Sequence, residues 1–513
     1  MLLTEQELTI ANFEQIVFQG EKIEIADSVK ELIAENFKFL KTFSKDKIIY
    51  GINTGLGPMA QFRISEQDHI QLQYNLIRSH CAGSGNRLPE QVVRAIILSR
   101  MSSLTKGYSG INMAVIDLLK EFINHEIYPV IFEHGGVGAS GDLVQLAHLG
   151  LALIGEGSMT HRNKEYEAAE LFGKFSLSPL KIELREGLAV MNGTGAMTGI
   201  GLINIVHAKK LLNHAIMAAA MIVEIVESYD DHFSAELNKV KLHEGQNEVA
   251  KSIRTMLSDS KLIRKRSDHL YSKKIEEHVL ENKVQEFYSV RCVPQILGPV
   301  MDTIHYSSQV LVNELNSVND NPVIDHKQKD VFHGGNFHGD YVALEMDKLK
   351  IAVTKLCMLS ERQLNYLLND SLNEKLTPFI NTGKLGVNLG LQGIQFTATS
   401  TTSENQTLSF PSYIHSIPSN KDNQDIVSMG ANAALITQKV IENTFEVLAI
   451  EFIAIVRAID SINLKDKLSS QTGKFYAELK KVIDPDTSDR VLYKDILNIK
   501  ELLKKIAADS QII

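Results

Sequence analysis

The sequence predicts a mainly α-helical protein with a large central bundle of long helices and a loop-rich N-terminal part. Three observations carry this. First, residues 201–228, 300–316, 341–368 and 431–462 each read as a long helix-compatible stretch. Second, Ile441, Phe445, Leu448, Phe452, Ile455 and Ile459 recur at spacings of 4-3-4-3-4, which puts them on one helical face. Val440, Val447 and Ala454 add a second apolar face, and a helix apolar on most sides is buried among other helices. Third, the first 200 residues alternate short apolar runs with glycine clusters at 50–57, 82–85, 135–141 and 192–195. Such clusters mark places where backbone turns tightly or approaches something closely, so short helices and a few strands linked by functional loops are expected there.

A chain of 513 residues allows about two to four folding units. The patterning divides it into 1–200, the loop-rich part; 201–470, the long-helix bundle; and 471–513, a C-terminal helical segment. Residues 229–283 are polar and charged and read as surface helices and loops. With 44% hydrophobic and 22% charged residues, the composition excludes disorder over most of the chain. A net charge of −9 argues against a general nucleic-acid binder, because phosphate contacts dominate such affinity. The three cysteines, Cys81, Cys292 and Cys357, are odd in number and widely spaced, which suits a reducing compartment and no disulfide framework. No CxxC or HExxH signals a metal site. The N-terminus has early acidic residues and no long apolar core, so it does not read as a signal peptide. The most apolar run, 215–226, is too short to span a bilayer. A soluble cytoplasmic protein is expected.

Residues 136–141, Gly-Val-Gly-Ala-Ser-Gly, fit the GxGxxG pattern of dinucleotide-binding oxidoreductases. They follow the apolar run 127–132 and precede 143–154, with Glu156 where a ribose-binding acid would be sought. Against this, Glu133 and His134 interrupt the presumed strand end, and no repeated βαβ pattern follows.

The same segment, continued through Asp142 and Leu143, resembles the signature of the histidine, phenylalanine and tyrosine ammonia-lyase family. The resemblance runs from about residue 50 to 462, with motifs in family order. These are 50–57 (YGINTGLG), 75–80 (NLIRSH), 186–194 (EGLAVMNGT), 285–298 (QEFYSVRCVPQILG), 319–322 (NDNP), 334–338 (GGNFH) and 403–406 (SENQ). It implies an ammonia-lyase-like fold and a built-in electrophile, 4-methylideneimidazol-5-one (MIO), formed autocatalytically from Ala139, Ser140 and Gly141. No external cofactor and no metal are implied. It also implies a homotetramer in which each active site draws residues from three chains. The residue types suit the cyclisation: glycine lets the backbone fold onto itself, alanine adds little bulk, and serine dehydrates to the methylidene.

Elimination of ammonia from an α-amino acid requires loss of a β-proton and expulsion of the amine, and an electrophile that takes the amine helps the second. The resemblance gives Tyr50 the role of base. An unperturbed phenol titrates near pH 10, so that role needs local stabilisation. Arg291 is matched to the substrate carboxylate, for which its planar fork is suited. Tyr288, also matched as catalytic, lies three residues earlier, on the same face if this stretch is helical. Asn192 and Gln285 match polar residues lining the site, Phe337 an aromatic wall, and Glu404 a glutamate near the amine or the ring. His80 is matched to the far end of the substrate ring. Leu56 stands where the family loop usually has Phe, and Gly195 where histidine lyases usually have Gln. The wording of 133–146 is similar to tyrosine ammonia-lyases of flavobacterial type, so L-tyrosine is the expected substrate. L-Histidine is the alternative, followed by a 2,3-aminomutase outcome.

Overall fold

The structure, a computed structural model, describes residues 1–272, 278–280, 283–486 and 488–506. Parts of two expected segments, 273–277 with 281–282 and 507–513, lie outside the described residues. The fold is mainly α, and all strands are two to four residues long. The chain forms two compact units, each discontinuous in sequence. The first is Met1–Ile205, Ser307–Asp347 and Pro411–Gln438; the second is Val206–Tyr306, Lys348–Phe410 and Lys439–Ile513. This is a partition of a different kind from consecutive segments ending at 200 and 470. Long helices carry the chain across the boundaries: Gly195–Ile225, Val293–Leu315, Asp340–Leu368 and Gly430–Ser461.

The first unit is more helical than its glycine punctuation suggests. The helix Asp27–Phe43 turns Val29, Ile33, Asn36 and Leu40 inward at helical spacing. Leu40 then packs with Ile49, Ile52 and Ile324, which anchors the start of the 50–57 loop. Asn36 serves the same corner: its amide donates to the Ile324 carbonyl at 2.7 Å, and its oxygen accepts from the Gly110 N–H at 2.8 Å. The helix Glu90–Leu104 is buried from Val92 to its end and takes Arg94 and Arg100 inside with it. The strand Phe132–His134 pairs antiparallel with Ser84–Arg87. A dinucleotide fold needs a parallel strand leading into the glycine turn, and this strand does not supply one.

The second unit is built on long helices. Ile441, Phe445, Leu448, Phe452, Ile455 and Ile459 are all fully buried, as are Val440, Val447 and Ala454. Each large side chain of that stripe contributes about 1.5–3 kcal/mol on burial. The helix expected to begin at residue 300 instead begins at Val293 and passes through Pro299. Proline deletes one backbone hydrogen bond. The buried stripe Val293, Leu297, Val300, Met301 and Ile304 continues across it, and packing holds the helix together there. All three cysteines are free. Among the described residues no helix is long and apolar enough to cross a membrane, and no acid, His or Cys cluster could hold a metal ion.

Candidate active site

In the first unit, residues 137–142 form a turn between the strand Phe132–His134 and the helix Leu143–Leu153. Its backbone is gripped position by position from remote segments. The Val137 carbonyl accepts from the Met429 N–H at 3.0 Å. The Gly138 carbonyl accepts from the Gly339 N–H at 3.1 Å and from the Ser428 hydroxyl at 3.0 Å. Nδ1 of His338 lies 3.3 Å from the Ala139 carbonyl oxygen. The Ser140 carbonyl accepts from the Asn192 amide at 3.1 Å, and the Ser140 hydroxyl from the Gln424 amide at 2.9 Å.

Gly141 has φ +70°, and a Cβ there would lie 2.0 Å from the Gly193 carbonyl oxygen. The two glycines form a parallel bridge, and Asp142 N–H donates to that same carbonyl at 2.8 Å. No side chain fits at either position, since a Cβ on Gly193 would lie 2.2 Å from an Arg100 nitrogen. The Asp142 carboxyl is fully buried and accepts from the Met197 N–H at 2.7 Å, in the first turn of the helix Gly195–Ile225. Burial pushes it up to about 7.

Asn192 is oriented from both ends. Its amide donates to Ser140, and its oxygen accepts from the Asn321 N–H at 2.9 Å. Asn321 also accepts on its side-chain oxygen from the Gly334 N–H at 2.8 Å, which ties in the loop carrying Phe337. Behind it lies a fully buried ion cluster. Arg185 donates to the Asn321 carbonyl at 2.7 Å and to the Asp320 carboxylate at 3.1 Å, and Arg100 sits 3.8 Å from the same carboxylate. Burial lowers Arg100 to about 10, with Asp320 opposing that fall.

Tyr50 is partly buried, and its hydroxyl oxygen accepts from the Gly57 N–H at 3.0 Å. Gln73 joins its loop to the Asn192 segment: its amide donates to the Gly51 carbonyl at 3.1 Å, and its oxygen accepts from the Leu188 N–H at 2.9 Å. His80 ends the helix His69–His80, with Nδ1 3.0 Å from the Leu76 carbonyl oxygen. The Ser79 hydroxyl lies 3.1 Å from the same Nδ1, so Nδ1 donates to Leu76 or accepts from Ser79 according to the tautomer. Phe337 is partly buried beside His338.

In the second unit, Gln285, Tyr288 and Arg291 line a cavity of about 660 Å³ together with Glu286, Arg362 and Tyr366. Tyr288 and Arg291 share the short helix Tyr288–Arg291, and the guanidinium stacks 4.7 Å from the Tyr288 ring centroid. The Tyr366 phenol, pushed up by burial and by Glu286, donates to that carboxylate at 3.1 Å. Glu404 is exposed on the helix Gln392–Leu408, where it accepts from the Asn443 amide at 2.6 Å and lies 3.6 Å from the Lys439 ammonium.

The expected residues thus divide between the units. Asn192, Ala139, Ser140 and Gly141 meet directly in the first, and Gln285, Tyr288 and Arg291 share the cavity of the second. Three groups at the turn carried no individual role in the sequence. Gln424 had no local signal, being 284 residues from its partner Ser140. His338 and Asn321 lay within quoted motifs, but their contacts are not legible from spacing.

The family model described as aromatic amino acid lyase matches residues 8–481. The protein is an enzyme of the carbon–nitrogen lyase class. The chain belongs to the aromatic amino acid lyase family. It is 37% identical over 508 residues to a histidine ammonia-lyase of Geobacillus thermodenitrificans, covering 99% of this chain and 98% of the relative. It is 38% identical over 518 residues to a tyrosine 2,3-aminomutase of Chondromyces crocatus, covering 99% and 96%. Among solved structures, a tyrosine aminomutase from Streptomyces globisporus superposes with a TM-score of 0.94 at 32% identity, covering 98% of this chain and 96% of that one.

Proposed function

We propose that this protein eliminates ammonia from an L-aromatic amino acid, and that its substrate is L-tyrosine, giving p-coumarate. The carrying observation is the clamped Ala139-Ser140-Gly141 turn, whose serine meets carboxamide donors from two separate segments. The turn fits an MIO: Gly141 has the left-handed backbone and the absence of a side chain that a tight backbone closure needs, and Ala139 is buried. When formed from these three residues, that group supplies an electrophile for the substrate amine.

The other roles belong to the chain's own side chains. Tyr50 removes the β-proton, with its oxygen held by the Gly57 N–H. Arg291 binds the substrate carboxylate through its planar fork, and Tyr288 steadies that guanidinium from the ring face. Asn192 and Gln285 bind polar groups of the substrate, and Phe337 walls its ring. Glu404 serves the amine side. His80 reads the far end of the ring: its Nε2 pairs with the phenol group of tyrosine, and an analogue lacking that group leaves it unpaired.

A second reading, L-histidine giving urocanate, is favoured by the 37% identity to a histidine ammonia-lyase. A third, return of the amine to the β-carbon, is favoured by the tyrosine 2,3-aminomutase relative. The active form is taken to be a cytoplasmic homotetramer with sites shared between subunits. Incubating the purified protein with L-tyrosine, L-histidine and L-phenylalanine in parallel separates these readings. p-Coumarate is expected as the fastest product and phenylalanine as the poorest substrate. Faster urocanate overturns tyrosine and keeps the lyase; a β-amino acid as main product overturns the elimination outcome.

A further inference from the structure

We infer that His338 is the acid that drives closure of the Ala139-Ser140-Gly141 turn into its electrophile; this rests on the reading of the turn given above. Nδ1 of His338 lies 3.3 Å from the Ala139 carbonyl oxygen, and Nε2 lies 2.9 Å from a carboxylate oxygen of Asp340. Both partners only accept hydrogen bonds. A ring that makes both bonds donates from both nitrogens, and the Asp340 carboxylate stands where it balances the charge of that form.

The chemistry of closure places its demand at that oxygen. The Gly141 nitrogen attacks the Ala139 carbonyl carbon, a C–N bond forms, and the C–O π electrons move onto oxygen. The Gly141 N–H proton ends on that oxygen, giving a hydroxyl. Water then leaves as the C–O bond breaks and the Ser140 nitrogen gives up its proton to form C=N. A second water is lost from the Ser140 Cα–H and its hydroxyl. No oxidant or reductant is consumed. A donor at the carbonyl oxygen stabilises the developing negative charge and protonates the departing hydroxyl. Recovery of the Ser140 N–H proton restores His338. The backbone around the imidazole is fixed on both sides. The His338 N–H donates to the Gly335 carbonyl at 2.9 Å, and the next residue, Gly339, bonds to Gly138 of the turn at 3.1 Å.

The test follows the intact mass of the full-length chain with time after cell-free synthesis, reading the deficit of two waters. The arms are wild type, His338→Leu, His338→Gln and Asp340→Asn, with circular dichroism to establish folding. His338→Leu should close roughly a hundredfold more slowly, the scale of a lost acid or oxyanion donor. His338→Gln, which keeps a neutral N–H, should fall between it and wild type. Asp340→Asn should slow closure several-fold, and it decides the matter if His338→Leu does not fold. Closure at the wild-type rate in a folded His338→Leu, or in Asp340→Asn in its place, overturns the assignment of His338 alone. A wild-type chain with no mass deficit overturns the underlying reading of the turn, and the assignment with it.

Discussion

Ser140 presents two oxygens to two carboxamides, so its substitution separates chemistry from folding. Ser140→Ala removes only a hydroxyl that accepts from Gln424. It is expected to fold like wild type, lack the second water of the mass deficit and lose nearly all turnover; wild-type turnover in this variant would sink the proposed mechanism. Tyr50→Phe keeps the ring and deletes the oxygen that Gly57 holds. A large fall in kcat with a modest change in KM is expected, the pattern of an interaction made in the transition state. Glu451 is a buried carboxyl of a different kind, placed inside the helix Gly430–Ser461 with no role in the site. Burial pushes it from 4.5 up to about 8. The folded state therefore holds this proton more tightly than the unfolded chain. Its contribution is full below about pH 4.5 and is lost as pH rises through about 8. Glu451→Gln should flatten that part of the stability profile. Denaturation midpoints between about pH 5 and 9 check it, and an equal slope in both proteins contradicts the assignment.

At the level of elements, the turn 319–322 joins several segments to one buried charge cluster. Arg100 comes from the helix Glu90–Leu104, Arg185 from the residue before the helix Glu186–Met191, and both approach Asp320. Buried pairs are costly to break because the remaining charge loses its partner. Asp320→Asn leaves two buried guanidiniums facing a neutral amide. A loss of about 3–5 kcal/mol is expected from chemical denaturation. Asn321→Ala removes only the side-chain link to Gly334 and keeps the N–H that orients Asn192. Its effect should be much smaller, and an equal loss would show that the cluster does not act through charge.

For the whole molecule, the apolar surface bears on assembly. In the second unit Tyr306, Phe396 and Phe410 are more than half exposed, and in the first unit Tyr341, Ile414 and Ile417 are as well. Exposed apolar side chains mark a contact surface where they form a contiguous patch, and substitution tests whether these do. Under the proposed tetramer, Phe396→Lys should shift sedimentation toward smaller species and lower turnover with it. A wild-type monomer that is fully active at assay concentration would contradict the shared-site tetramer.

The helical class, the long helices and the family are all legible in the order of the amino acids. A stripe spaced 4-3-4-3-4 has one economical solution, a buried helix, and ordered motifs over most of the chain identify a lineage. Packing outweighs a local rule where the helix Val293–Leu315 runs through Pro299. What faces the Ala139-Ser140-Gly141 turn is a matter of tertiary packing. Its partners Asn192, His338 and Gln424 lie 52, 199 and 284 residues away, and no periodicity spans such distances. Packing also selects which glycines matter: the Gly193 carbonyl leaves no room for a side chain at 141, and Arg100 with Asn319 leaves none at 193. Local pattern sets what each segment becomes, but the meeting of polar groups at a site is fixed by the packing of the remote segments that carry them.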